Sequence, residues 1–188
     1  MTTAERGPTS SDSDQPDSDP AERGQPGIIG IFVATEAGAP MQRREWVEVV
    51  PGVGILGDRY ATRRGHWSDP RWREQQLTII EAETADELGL EPHQLRRNLV
   101  TRGVQLQGLL GLEFRIGGAR LAGMLPCDPC NYLQDLLERP GLLRALVGRG
   151  GIRVRVLEGG RIAAGDEIVV LGVHEPSLVF DDEEGAGS

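Results

Sequence analysis

Short apolar runs and strict alternation, rather than helical periodicity, dominate the middle of the chain. Gly27-Ile28-Ile29-Gly30-Ile31-Phe32-Val33 is a continuous apolar run of strand length, the pattern of a buried strand. Glu45 to Val50 and Ile152 to Leu157 alternate apolar with polar residues, as a half-buried strand does. Gln76 to Ile80, Phe114 to Ile116, Ala119 to Met124 and Glu167 to Leu171 complete the predicted strands. Glycines punctuate them at Gly117-Gly118, Gly159-Gly160 and the loop Pro51 to Tyr60, where the backbone must turn tightly or approach another group closely. Helical spacing is confined to Glu81 to Gly89, Asn131 to Glu138 and Leu142 to Val147, each too short to form a layer of its own. The pattern predicts a mainly β domain with short helices, a partly closed barrel rather than a doubly wound sheet.

The pattern stops at both ends. Residues 1–26 are Ser, Asp, Pro and Gly with almost no large apolar side chain, and such a segment cannot bury enough surface to offset its ordering entropy. Residues 1–26 and 175–188 therefore read as disordered acidic tails around one domain at 27–174. Charge sharpens this division. The formal charge of -9 belongs to the tails, -4 in the first and -5 in the second, and the domain between them is neutral. A neutral core carries no electrostatic footprint for nucleic acid. The N-terminus lacks the order of a signal peptide, and no apolar run approaches the roughly 20 residues of a membrane span. A cytoplasmic location is expected.

All twenty basic residues are arginine. Without lysine the chain cannot form an internal pyridoxal phosphate aldimine or a Walker phosphate loop. Anion binding must fall to arginine or backbone amides, and the planar guanidinium fork suits phosphate oxygens. The segment Arg96-Arg97-Asn98, with Arg102 four residues on, has that chemistry, although single arginines are commonly solvated surface. Asp58-Arg59 in its glycine-rich loop is compatible with an ordinary turn ion pair, and His66 and Trp67 with a loop anchor.

Two cysteines stand in Pro126-Cys127-Asp128-Pro129-Cys130, after a predicted strand and before a predicted helix, where backbone amides can stabilise a thiolate. Two buried thiols are the plain alternative. A structural zinc site would need two further ligands, and His66, His93 and His174 show no paired spacing. A thioredoxin-type dithiol would need the βαβ units that the pattern lacks.

Taken in order, Gly57-Asp58-Arg59-Tyr60, Leu77 to Glu83, Arg96 to Val104, Pro126 to Cys130, Gly150-Gly151 and Gly160 to Glu167 resemble the MOSC domain, named for the C-terminal domain of molybdenum cofactor sulfurases. The resemblance runs from about Gly27 to Val173 and lies in the order and spacing of the motifs. It implies a β-barrel-like fold that binds the molybdopterin form of molybdenum cofactor and either reduces N-oxygenated substrates or hands on cofactor or sulfur. By position Cys130 is the implied metal ligand or sulfur carrier, Arg96 and Asn98 lie near the cofactor phosphate or pterin with Arg97 and Arg102 beside them, and Asp128 flanks the metal ligand. Relatives of this type reduce N-hydroxylated bases. The chain lacks the aminotransferase-like domain of the sulfurases and any iron–sulfur cysteines, so a separate electron donor or cysteine desulfurase is implied. A metal-free carrier of a Cys130 persulfide and a noncatalytic binding module are the alternatives.

Overall fold

The computed structural model describes residues 26–68 and 76–175, so the acidic tails, apart from Pro26 and Glu175, lie outside the described residues. The strands are β1 (Gly27–Val33), β2 (Gln42–Arg44), β3 (Trp46–Val50), β4 (Gly54–Ile55), β5 (Leu77–Glu81), β6 (Leu99–Arg102), β7 (Leu112–Ile116), β8 (Ala119–Pro126), β9 (Ile152–Glu158), β10 (Gly160–Ala163) and β11 (Ile168–Val173). The helices are α1 (Ala82–Leu88), α2 (Asn131–Leu136) and α3 (Leu142–Ala145). Eight strands form one curled sheet in the order β11-β7-β8-β9-β5-β6-β1-β2, and β10-β3-β4 form a second.

The large sheet is antiparallel except where β5 runs parallel to β6. A parallel pair needs a crossover, and α1 with the 3-10 turn Pro92–Leu95 supplies it. At the far side the sheet half closes on itself. The Ile28 amide donates to the Asp166 carbonyl at 2.9 Å, and the Gly165 amide donates to the Ile28 carbonyl at 2.7 Å, joining the start of β1 to the turn before β11. This is the partly closed barrel expected from the alternation.

The two-residue period of β1, β5 and β6 sends neighbouring side chains to opposite faces, and both faces are covered. Ile31, Ile79 and Leu99 enter the core inside the curl. Their neighbours Phe32, Ile80 and Val100 enter a second core outside it, with Leu133, Leu142 and Leu146 from the helical segments. Covering both faces explains why these strands read as unbroken apolar runs. It also creates, on the outer face, the layer in which the candidate site lies.

Four strands were not anticipated. Gln42–Arg44 is exposed at every position and pairs with β1 mainly through backbone, with one long bond from Arg43 Nη2 to the Ile29 carbonyl at 3.4 Å, so no apolar pattern marks it. The glycine loop contains β4, and the segment read as a turn at Gly160 begins β10, which pairs with β3. The charged stretch around Arg96 and Arg102 contains β6, whose Leu99, Val100 and Thr101 are fully buried in the middle of the sheet.

Candidate active site

β8 continues two residues beyond the predicted strand, so that Pro126 still pairs with Ile152. The Cys127 amide then donates to the Gly151 carbonyl at 2.8 Å, which ties the cysteine loop to the entry of β9. Gly151 has φ +85°, a conformation that disfavours side chains, and a Cβ there would overlap the Ile79 carbonyl. Cys127 is buried and Cys130 half-buried, and both are free thiols. Cys130 caps the six-residue α2 with extended backbone, φ -136° and ψ 159°. The two cysteines and the exposed Asp128 line one cavity.

Arg59, Arg96, Arg97 and Arg153 line the same cavity, which has a volume of about 40 Å3. Against these four guanidiniums Asp128 is the single lining carboxylate among the described residues, so this lining is cationic. Each arginine arrives by a different route. Arg97 is anchored by Nε to the Gly150 carbonyl at 2.9 Å and by Nη1 to the Leu95 carbonyl at 3.0 Å. Arg96 closes the turn Pro92–Leu95 with φ +57°, donates from Nη1 to the Ala39 carbonyl at 2.8 Å, and has no partner for the buried Nη2 among the described residues. Burial lowers the Arg96 pKa, with Tyr132 opposing and Arg59 reinforcing the shift. The group nevertheless stays a cation at neutral pH.

Arg153 is 8% exposed and reaches the cavity from the outer face of β9, opposite Ile152 and Val154. Arg59 forms a buried pair with Asp58 at 3.0 Å and stands 4.6 Å from the centre of the Tyr60 ring. Burial raises the Tyr60 pKa, against the lowering influence of Arg59 and Arg97. The phenol is therefore held protonated at neutral pH, as a donor.

Aromatic rings close the rim. His66 stacks on Tyr132 with centroids 4.2 Å apart and planes 12° from parallel, and Trp67 meets His66 edge-on at 4.9 Å. The buried hydroxyl of Tyr132 has no partner among the described residues.

Of the residues expected from the sequence, Cys130, Asp128, Arg96 and Arg97 come together at the cavity. Asn98 and Arg102 do not line it. Asn98 is fully buried one layer behind, where Oδ1 accepts from the Thr78 amide at 3.2 Å and hydroxyl at 3.1 Å and Nδ2 donates to the Phe32 carbonyl at 3.3 Å. Thr78 itself lines the cavity, so Asn98 is placed to support it. Arg102 is turned to the surface, where it pairs with Asp86 at 2.8 Å. The length of β6 accounts for the difference: Arg96 and Arg97 precede the strand, whereas Arg102 is its last residue, at the other end beside Asp86 of α1. Sequence reasoning passed over Arg153, Tyr60 and Tyr132. Arg153 alternates with apolar residues as a solvated arginine would, and only the layer packed over β9 makes it internal.

Among the described residues no three His, Cys, Asp or Glu side chains converge to hold a metal ion. None of the helices there is long and apolar enough to cross a membrane.

A curled, half-closed barrel of mainly β structure is the fold of a MOSC domain. The MOSC domain family model matches residues 66–169, and the chain belongs to that family. The fold is similar to that of the YuaD protein from Bacillus subtilis, with a TM-score of 0.65 at 22% identity over 79% of this chain and 97% of that one. It is also similar to YiiM from Geobacillus stearothermophilus, with a TM-score of 0.60 at 18% identity over 78% of this chain and 75% of that one. YiiM from Escherichia coli gives a TM-score of 0.56 at 18% identity, covering 78% and 72% of the two chains. No curated protein matches the sequence.

Proposed function

We propose that this cavity binds molybdenum cofactor in its molybdopterin form, with the Cys130 thiolate as a ligand to the metal, and that the protein reduces N-oxygenated substrates with electrons from a separate donor. One observation carries the reading: among the described residues the half-buried free Cys130 shares a cavity with Cys127, four arginines and a single exposed carboxylate. That combination suits a soft metal delivered on a phosphate-bearing organic ligand. A bare metal ion would need several protein donors, whereas a metal already held by a dithiolene needs only one thiolate.

The donor chemistry fits the group. Arg96 Nη2 and the Tyr132 hydroxyl are buried without partners among the described residues, and anionic oxygens would satisfy both. Arg97 and Arg153 add charge to the same cavity. A cavity of about 40 Å3 holds only about three waters, so binding a pterin requires its walls to open.

When bound, the cofactor supplies two-electron, oxygen-abstracting chemistry. Reduction of an N-hydroxyl group to the amine consumes two electrons and two protons and releases water. In this reading the electrons come from the partner protein and the protons from solvent. Asp128, exposed in the same loop, flanks the metal ligand.

The experiment is metal content. Protein purified from molybdate-replete cells is expected to carry molybdenum and pterin, and Cys130→Ser to lose most of the molybdenum. An equal, near-zero load in both would remove the cofactor reading. A labile mass increase of one sulfur at Cys130 without molybdenum would instead make the protein a sulfur carrier served by a cysteine desulfurase.

A further inference from the structure

Asp58 and Arg59 are only 1% and 3% exposed. A buried ion pair contributes little net stability, because desolvation offsets most of the attraction. Its hydrogen bonds point to a different role. Asp58 is fixed on its own side, with Oδ1 accepting from the Ala34 amide at 3.0 Å and Oδ2 from the Tyr60 amide at 3.2 Å. Arg59 then spans two oxygen acceptors with one planar fork, with the Met41 sulfur at 3.6 Å from Nη1 as a weaker third. Nη1 donates to Asp58 Oδ1 at 3.0 Å, and Nη2 donates to the backbone carbonyl of Arg96 at 2.8 Å.

The residue so held has unusual backbone. Arg96 has φ +57° and ψ 31°, the left-handed region that non-glycine residues seldom occupy and that persists where surrounding contacts impose it. Its side chain is held at Nη1 by the Ala39 carbonyl, while the buried Nη2 is left with no partner among the described residues. The carbonyl is tied from one side, the guanidinium from the other, and one donor is kept for a ligand.

We infer that the buried Asp58–Arg59 pair is a positioning device for Arg96, holding the left-handed turn that presents Nη2 to an anionic oxygen in the cavity. This rests on the anion-binding reading above. Arginine is required at 59 because only a fork reaches both acceptors, whereas lysine would keep the charge and lose one bond.

The test is Arg59→Lys in the full chain, with inorganic phosphate as the probe, calorimetric titration for affinity, and nitrogen-15 NMR of the Arg96 amide and guanidinium. Wild type is expected to bind phosphate. Arg59→Lys is expected to melt cooperatively, bind phosphate at least tenfold more weakly, and shift the Arg96 signals. Unchanged affinity and unchanged Arg96 signals would overturn the positioning role. If wild-type protein binds no phosphate, the anion reading fails by itself, and the NMR still decides the clamp: shifted Arg96 signals support it and unshifted ones refute it. If Arg59→Lys does not fold, Asp58→Asn carries the same two measurements, because it weakens the anchor of Nη1 while leaving the arginine in place. A tenfold weaker site and moved signals support the inference there, and wild-type values refute it.

Discussion

Gly150 packs against the Cys127 carbonyl so closely that a Cβ at residue 150 would overlap its oxygen. The same glycine offers its own carbonyl to Arg97 Nε at 2.9 Å. A single residue without a side chain thus sets the spacing between the cysteine loop and one arginine of the site. Gly150→Ala is expected to destabilise the fold by about 1–3 kcal/mol, the usual cost of overpacking, and to displace the loop. Chemical denaturation checks the first effect. The rate at which Cys130 reacts with iodoacetamide, compared with wild type, checks the second.

Asn98 connects three strands through one amide, since it bonds Thr78 of β5 and Phe32 of β1 from the residue just before β6. Asn98→Ala leaves the Thr78 hydroxyl and the Phe32 carbonyl short of a buried partner. A loss of about 2–4 kcal/mol is expected, summed over the orphaned groups. Urea denaturation measures it. A stability loss within experimental error would show that the network relaxes around the missing amide.

Arg102 provides the contrasting case. Its pair with Asp86 is 39% and 54% exposed on the two side chains, and pairs of this kind contribute about 0–1 kcal/mol. Arg102→Gln is expected to leave both stability and molybdenum content close to wild type. Loss of the metal in that variant would place Arg102 in the site despite its position.

Tyr60 makes stability depend on alkaline pH. Burial raises its pKa above the ordinary value of 10.0, so the unfolded chain gives up the phenolic proton first as pH rises. The stabilisation from this group is complete below pH 10.0 and declines as pH climbs through the higher folded value. Tyr60→Phe is expected to flatten that decline relative to wild type in melting temperatures measured from pH 8 upward. An identical slope in both proteins would assign the alkaline loss to other groups.

Much of the fold was legible because period-two alternation and glycine spacing are local properties. Ile152 to Leu157 alternates within its own few residues, Ala119 to Met124 follows the Gly117-Gly118 turn, and both are strands. β2 and β10 were not legible, because short strands held by backbone pairing leave little trace in their side chains. The site was legible in part. Cys130 and Arg96 stood out by residue type within motifs, whereas Arg102 shared that type and lies elsewhere.

The sequence by itself determined the chemistry available: arginine as the only strong cation, two thiols three residues apart, and a neutral domain between acidic ends. It also determined the strand-rich pattern, since alternation encodes which face each residue takes within a strand. Tertiary structure alone decided which faces are covered. The helical layer over β5 and β9 turns Arg153 from a surface residue into a wall of the cavity, and the backbone turn at Arg96 separates it from Arg102. Side-chain identity sets what a group can do, but its neighbours come from strands distant in the chain, and no local pattern records them.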